Sequence, residues 1–146
     1  MSSLYESDVV LWSQSQSELL RRLAAGERVN GEIDWPNVVE EIASVGNEQV
    51  HTVSSFLVQA VAHRLKAMAW PEAQDADNWR ADAERFLGDA ADRFAPSMRE
   101  RLDITRIYRR ALRAVPATMY GVPRPALPAT CPWSLDELLG SGEHQA

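Results

Sequence analysis

From Asp34 to Trp70, apolar residues return every three or four positions, the period of a helix buried along one side. Val38, Ile42 and Val45 make one stripe; Val50, Val53, Leu57, Val61, Leu65 and Met68 make a second. Gly46 lies between them, so the stretch reads either as one very long helix or as two helices sharing a break there. On a straight helix the stripes are offset by about a quarter turn, at roughly 100° per residue, and a kink at Gly46 would return both to one core. Pro36 suits a first turn, and Asp34 suits the positive end of the helix. Trp70 precedes Pro71 and therefore avoids the helical region, which stops the run.

The same period appears on either side. After a leader over residues 1–8, Ser7 or Asp8 can cap a first helix to about Ala25, with Tyr5, Val9, Trp12, Gln16, Leu19 and Leu23 as its seam. Gln16 reads there as a satisfied buried polar group, and Gly26 as the stop. A third helix is predicted from about Asp75 to Phe94, packing through Trp79, Ala83, Phe86, Ala90 and Phe94. Pro96 is placed to open a fourth, to about Ala114, facing inward with Met98, Leu102, Thr105, Tyr108, Leu112 and Val115.

Prolines 116, 123, 125, 128 and 132 forbid a long helix after that, and predict an extended strap over 116–133. Ser134 and Glu137 then have capping-box spacing, and Trp133 with Leu138 can form the accompanying hydrophobic staple. That predicts a short terminal helix at about 134–140, a buried Trp133 anchoring the strap, and a frayed tail over 141–146. No alternating pattern calls for a sheet. The expected fold is all-α: a single domain over 1–146, a bundle of four main helices, the second long and either straight or kinked at Gly46, closed by the strap.

Composition changes this picture little. At 146 residues the chain can build a core, and its net charge of −6 argues against general affinity for nucleic acid or anionic membrane. One cysteine, Cys131, excludes an internal disulfide. No apolar run reaches the roughly 20 residues of a membrane span. The start, MSSLYESDVV, has no signal-peptide core, so a cytoplasmic location is expected.

Several short pieces together resemble a known family. YESDVVLWSQSQSELLR, DW, VVEEIASVG, HRLK, WR at 79–80, APSMR at 95–99 and CPWSLDELL follow the order of the bacterial domain-of-unknown-function family twenty-nine over nearly the whole chain. The family pattern has a leucine where Arg64 stands, so no role for Arg64 follows from it. The resemblance implies an all-helical bundle and supplies no activity.

Three chemistries remain to be placed. Glu41, His63 and Lys66, with Gln59 and Trp70 on the same row as the latter two, form the most catalytic-looking set, since carboxylate, imidazole and ammonium together can move protons. The same groups also make ordinary inter-helix bonds, the favoured reading. His63 is expected to be at least half buried at a helix seam, with Glu41 as its candidate partner. A bundle metal site needs two Glu-x-x-His units; Glu48 and His51 supply one and the chain has no second, so no metal and no cofactor are expected. Cys131 reads as packing rather than as a nucleophile.

Arg99, Arg106, Arg109, Arg110 and Arg113 give the fourth helix a broad basic face on an acidic protein. They suit an anion, a nucleic acid or an acidic partner, or else pair with the acidic side of the third helix. Aromatic residues for base stacking are not interleaved, which disfavours nucleic acid. The leading expectation is a non-enzymatic helical interaction or regulatory module, its partner a protein or a second copy of itself. The alternatives are a hydrolase or transferase built on Glu41, His63 and Lys66, and an anion or nucleic-acid binder built on the arginine face.

Overall fold

A computed structural model of the chain describes residues 3–140, so the predicted frayed tail, which holds His144, lies outside the described residues. The chain is all-α. Its helices are α1 (Leu4–Ser7), α2 (Val9–Ala24), α3 (Trp35–Ala69), α4 (Ala76–Arg93), α5 (Ile104–Ala114) and α6 (Leu135–Gly140). Residues read as a single domain from the sequence group into two compact units, Met1–Asn47 and Glu48–Ala146, and α3 contributes to both.

In the first unit the caps act largely as their residue types dictate. Ser3 Oγ accepts from the Glu6 amide, so the expected leader holds one helical turn, α1. Asp8 Oδ1 accepts from Leu11 N and starts α2. At the far end Gly26 takes φ +97°, a left-handed conformation that favours glycine. The Gly26 and Glu27 amides then donate back to Leu23 and Arg22 in a Schellman closure. The core consists of Trp12, Ile33 and Val38, with Tyr5, Leu19, Leu20 and Leu23 packed partly against it. Asp34 ties it together: its carboxylate accepts from Trp12 Nε1 at 2.9 Å and Asn37 Nδ2 at 2.8 Å. Its amide donates to Gln16 Oε1 at 2.7 Å, so Gln16 is the satisfied polar group its seam position implied. Val9, by contrast, is exposed rather than in the seam.

α3 runs through Gly46 without a break. One glycine costs a helix only about 1 kcal/mol, less than the surrounding turns supply. The two apolar stripes do not share a core: Ile42 and Val45 are exposed, while Val53, Leu57, Val61 and Leu65 are completely buried.

The second unit is built on that buried stripe, joined by Trp79, Leu87 and Ala90 of α4, Ile107, Tyr108 and Ala111 of α5, and Leu138 and Leu139 of α6. Leu87, not Phe86, is the fully buried large residue of α4, and Thr105 is exposed where the sequence placed it inward. Met68 too is exposed, at the end of its stripe. Pro96 opens a 3-10 segment, Pro96–Arg101, instead of the fourth α-helix. The helix begins at Ile104, because Asp103 Oδ1 accepts from the Thr105 and Arg106 amides and caps it.

The strap contains a small hairpin that the prolines concealed, Thr118–Met119 (β1) against Val122–Pro123 (β2). Tyr120 and Gly121 at its tip have φ of +52° and +78°, the positive values a two-residue hairpin turn requires. The terminal capping box forms as its spacing predicts, with Glu137 N donating to Ser134 Oγ at 3.0 Å and Ser134 N to Glu137 Oε1 at 3.4 Å. Trp133 is half-buried, not buried, because its ring faces a surface cleft.

Candidate functional site

The row Gln59, His63, Lys66 and Trp70 lies in the second unit, and each member of it that is covered has a structural partner. The side chain of His63 is 17% exposed. Its Nδ1 lies 2.7 Å from Gln59 O, and because a carbonyl only accepts, Nδ1 carries the proton in that bond. The ring packs 5.4 Å from that of Phe86, and Nε2 lies 4.0 Å from Asp82 Oδ2. Lys66 Nζ sits 5.2 Å from the centre of the Trp79 ring. Trp70 is buried and donates its indole N–H to Val122 O at 3.0 Å, which fastens the hairpin to the end of α3.

Glu41 does not join this set. It belongs to the first unit, where the Tyr5 hydroxyl donates to its Oε1, a bond that also raises the phenol's pKa above its usual 10.0. The seam expected at His63 is present, but its acid is Asp82 of α4. Asp82 was hidden in a run of acids along that helix. Tyr5 had a visible signal, a phenol on a seam facing a helix whose stripe is flanked by Glu41.

Arg64, a charge between Val61 and Met68 of the apolar stripe, is held by two contacts. Its guanidinium meets Glu84 at 3.0 Å and lies 5.1 Å from the centre of the Trp133 ring. Around them Arg64, Met68, Arg80, Glu84 and Trp133 line an open cleft of about 460 Å³. Cys131 is half-buried, and burial is the main force raising its thiol pKa above the usual 9.0, which works against a thiolate nucleophile. Tyr108 donates to Pro128 O at 2.6 Å, and its burial raises the phenol's pKa. Among the described residues, no three metal-ligating side chains converge.

The arginine face divides. Arg99, on the 3-10 segment, pairs with Asp136 of α6 and lies over Phe94, so it holds the terminal helix. Arg106, Arg109, Arg110 and Arg113 recur on one side of α5 at spacings of three, one and three, and line a concavity of about 330 Å³ by themselves. Among the described residues, no carboxylate lies within ion-pair distance of any of the four. Three acids of α4 are engaged elsewhere: Asp77 with Arg80, Asp82 with Arg85 and Glu84 with Arg64. Asp103, the nearest acid in sequence, is turned to the backbone as a cap. Like charges held this close repel one another, so an anion entering the concavity would relieve a cost already present.

No helix among the described residues is long and apolar enough to cross a membrane. No curated protein matches the chain. A crystal structure of an α-helical protein of unknown function from Rhodospirillum rubrum is similar to it at 29% identity and a TM-score of 0.68, covering 95% of this chain and 90% of that one. The match of residues 4–142 to the sequence pattern of the Domain of unknown function DUF29 shows that the chain belongs to that family.

Proposed function

We propose that this chain is a non-enzymatic helical binding module whose α5 groove takes an acidic segment of a partner protein. The observation that carries this reading is the row Arg106, Arg109, Arg110 and Arg113, which lines one concavity and has no carboxylate of its own there. Guanidinium forks at that spacing suit successive carboxylates or phosphates of an extended segment or a helix face. An acidic protein fits better than nucleic acid. The aromatic residue within the row, Tyr108, is buried and bonded to Pro128 O, so no ring is offered for stacking. The catalytic alternative is weaker, because Glu41 is engaged by Tyr5 and Lys66 lies over Trp79.

The test is fluorescence anisotropy with a labelled oligoglutamate and a phosphoserine peptide. Binding is expected to weaken steeply between about 50 and 200 mM salt. Exchanging Arg106, Arg110 and Arg113 together for glutamine should abolish it without lowering the thermal midpoint. Wild-type protein that binds neither peptide at low salt, or that binds only single-stranded DNA, overturns the assignment.

A further inference from the structure

At the start of α3, Trp35, Val39, Ile42 and Val45 fall within about 120° of arc, at roughly 100° per residue, and each is between 42% and 69% exposed. Val38 shares that arc but is covered by the first unit's core. The strip begins on a fixed ring. The Trp35 indole N–H donates to Asn30 O at 2.9 Å, so the polar edge of the ring is satisfied and what it still exposes is apolar.

Charge decides what can cover this strip. No lysine or arginine occurs from Val29 through His63. Around the helix, the first charge beyond Val45 is Glu41 and the first beyond Val39 is Glu40, so both sides of the strip meet a carboxylate. The unit Met1–Asn47 as a whole has eight acidic residues against three arginines, five of the chain's six net negative charges. Those arginines all precede α3, and Arg21 and Arg22 are paired with Glu18 and Glu27.

We propose that this strip takes a basic amphipathic helix of a partner protein. The apolar row of such a helix packs on Trp35, Val39, Ile42 and Val45 over about 15 Å, or three turns. Lysines or arginines flanking that row meet Glu40 and Glu41, and a cation near its end can lie over the Trp35 ring. The same field turns the other occupants away. It repels an anionic lipid surface, the acidic segment proposed for α5, and a second copy that presents the same acid-bordered strip. The strip belongs to the first unit and the α5 arginines to the second, so either surface can fail its test alone.

The test is fluorescence anisotropy on the full chain at about 150 mM salt, where long-range attraction is screened. The probe is a labelled amphipathic helix of leucine and lysine, about 14 residues long, and its control is a peptide of the same composition in scrambled order. The amphipathic peptide should bind and the scrambled one should not. Ile42→Glu, and separately Val39→Gln, should raise the dissociation constant at least about tenfold while far-UV circular dichroism stays unchanged. Ile42→Glu adds a negative charge, which by itself would strengthen attraction to lysine, so a loss there identifies apolar contact. Glu40→Lys should weaken binding at least about threefold, and Val122→Glu, at an exposed apolar site of the second unit, should leave it intact. Wild-type protein that does not bind, or that binds both peptides equally, overturns the proposal. So does binding that survives Ile42→Glu or Glu40→Lys. A wild-type dimer in sedimentation velocity that Ile42→Glu dissociates also overturns it, because the strip would then belong to a second copy.

Discussion

The two ends of α3 carry the same code and meet opposite fates. Val39, Ile42 and Val45 are 60–69% exposed, whereas Val53, Leu57, Val61 and Leu65 are 0% exposed. Both groups recur at helical spacing, and both consist of β-branched or leucine side chains. What differs is the supply of partners. The later turns are met by apolar residues of α4, α5 and α6, while the first unit's buried cluster takes in Val38 and leaves Val39, Ile42 and Val45 outside it. Periodicity thus specifies which face of a helix wants cover. It does not say whether the same chain provides it.

The largest effect that would break this contrast is a truncation on each side of it. Leu57→Ala should cost about 3–5 kcal/mol, because it opens a cavity in a fully buried site, and Ile42→Ala should cost under about 0.5 kcal/mol in the monomer. Urea melts at low protein concentration measure both, and equal losses would erase the distinction. A smaller effect tests how the strap is held on the buried side. Tyr108→Phe removes the donor to Pro128 O and should cost about 1 kcal/mol, read in the same melts.

The smallest effect belongs to the exposed side and depends on pH. The Asn37 side chain first, then the Trp12 indole, hold Asp34 below the usual carboxylate value of 3.8 by bonding to its charged form. A depressed carboxylate stabilises the fold above the unfolded-state value and loses that contribution as pH falls through the lower folded-state value. Asp34→Asn should therefore lower the melting midpoint at neutral pH, with the difference from wild type closing as the solution is acidified below 3.8. A difference that persisted in acid would mean that the charge of Asp34 is irrelevant.

Local signals were legible in the sequence where one residue settles one backbone event. Asp8, Gly26, Trp70 before Pro71, and the Ser134–Glu137 pair each mark a helix end. Pro96 misled because Asp103, seven residues on, offers a carboxylate to two free amides and starts the helix there. The Tyr120–Gly121 turn was masked by surrounding prolines, although a glycine at a positive φ was its cue. The candidate site was legible only as a list of residue types. Whether Arg99 faces Asp136, whether Glu41 meets Tyr5, and whether the α5 arginines stay unpaired depend on where elements distant in sequence come to lie. No spacing rule encodes that.

The stretch without basic residues across the long helix has a practical corollary. Trypsin has no bond to cut between Arg28 and Arg64, so a single tryptic fragment spans the boundary at Asn47. Resistance of the native chain to trypsin there says nothing about how firmly that boundary is wound. A glutamate-specific protease, with Glu40, Glu41 and Glu48 as its sites, is the reagent that reads whether the helix opens at the junction.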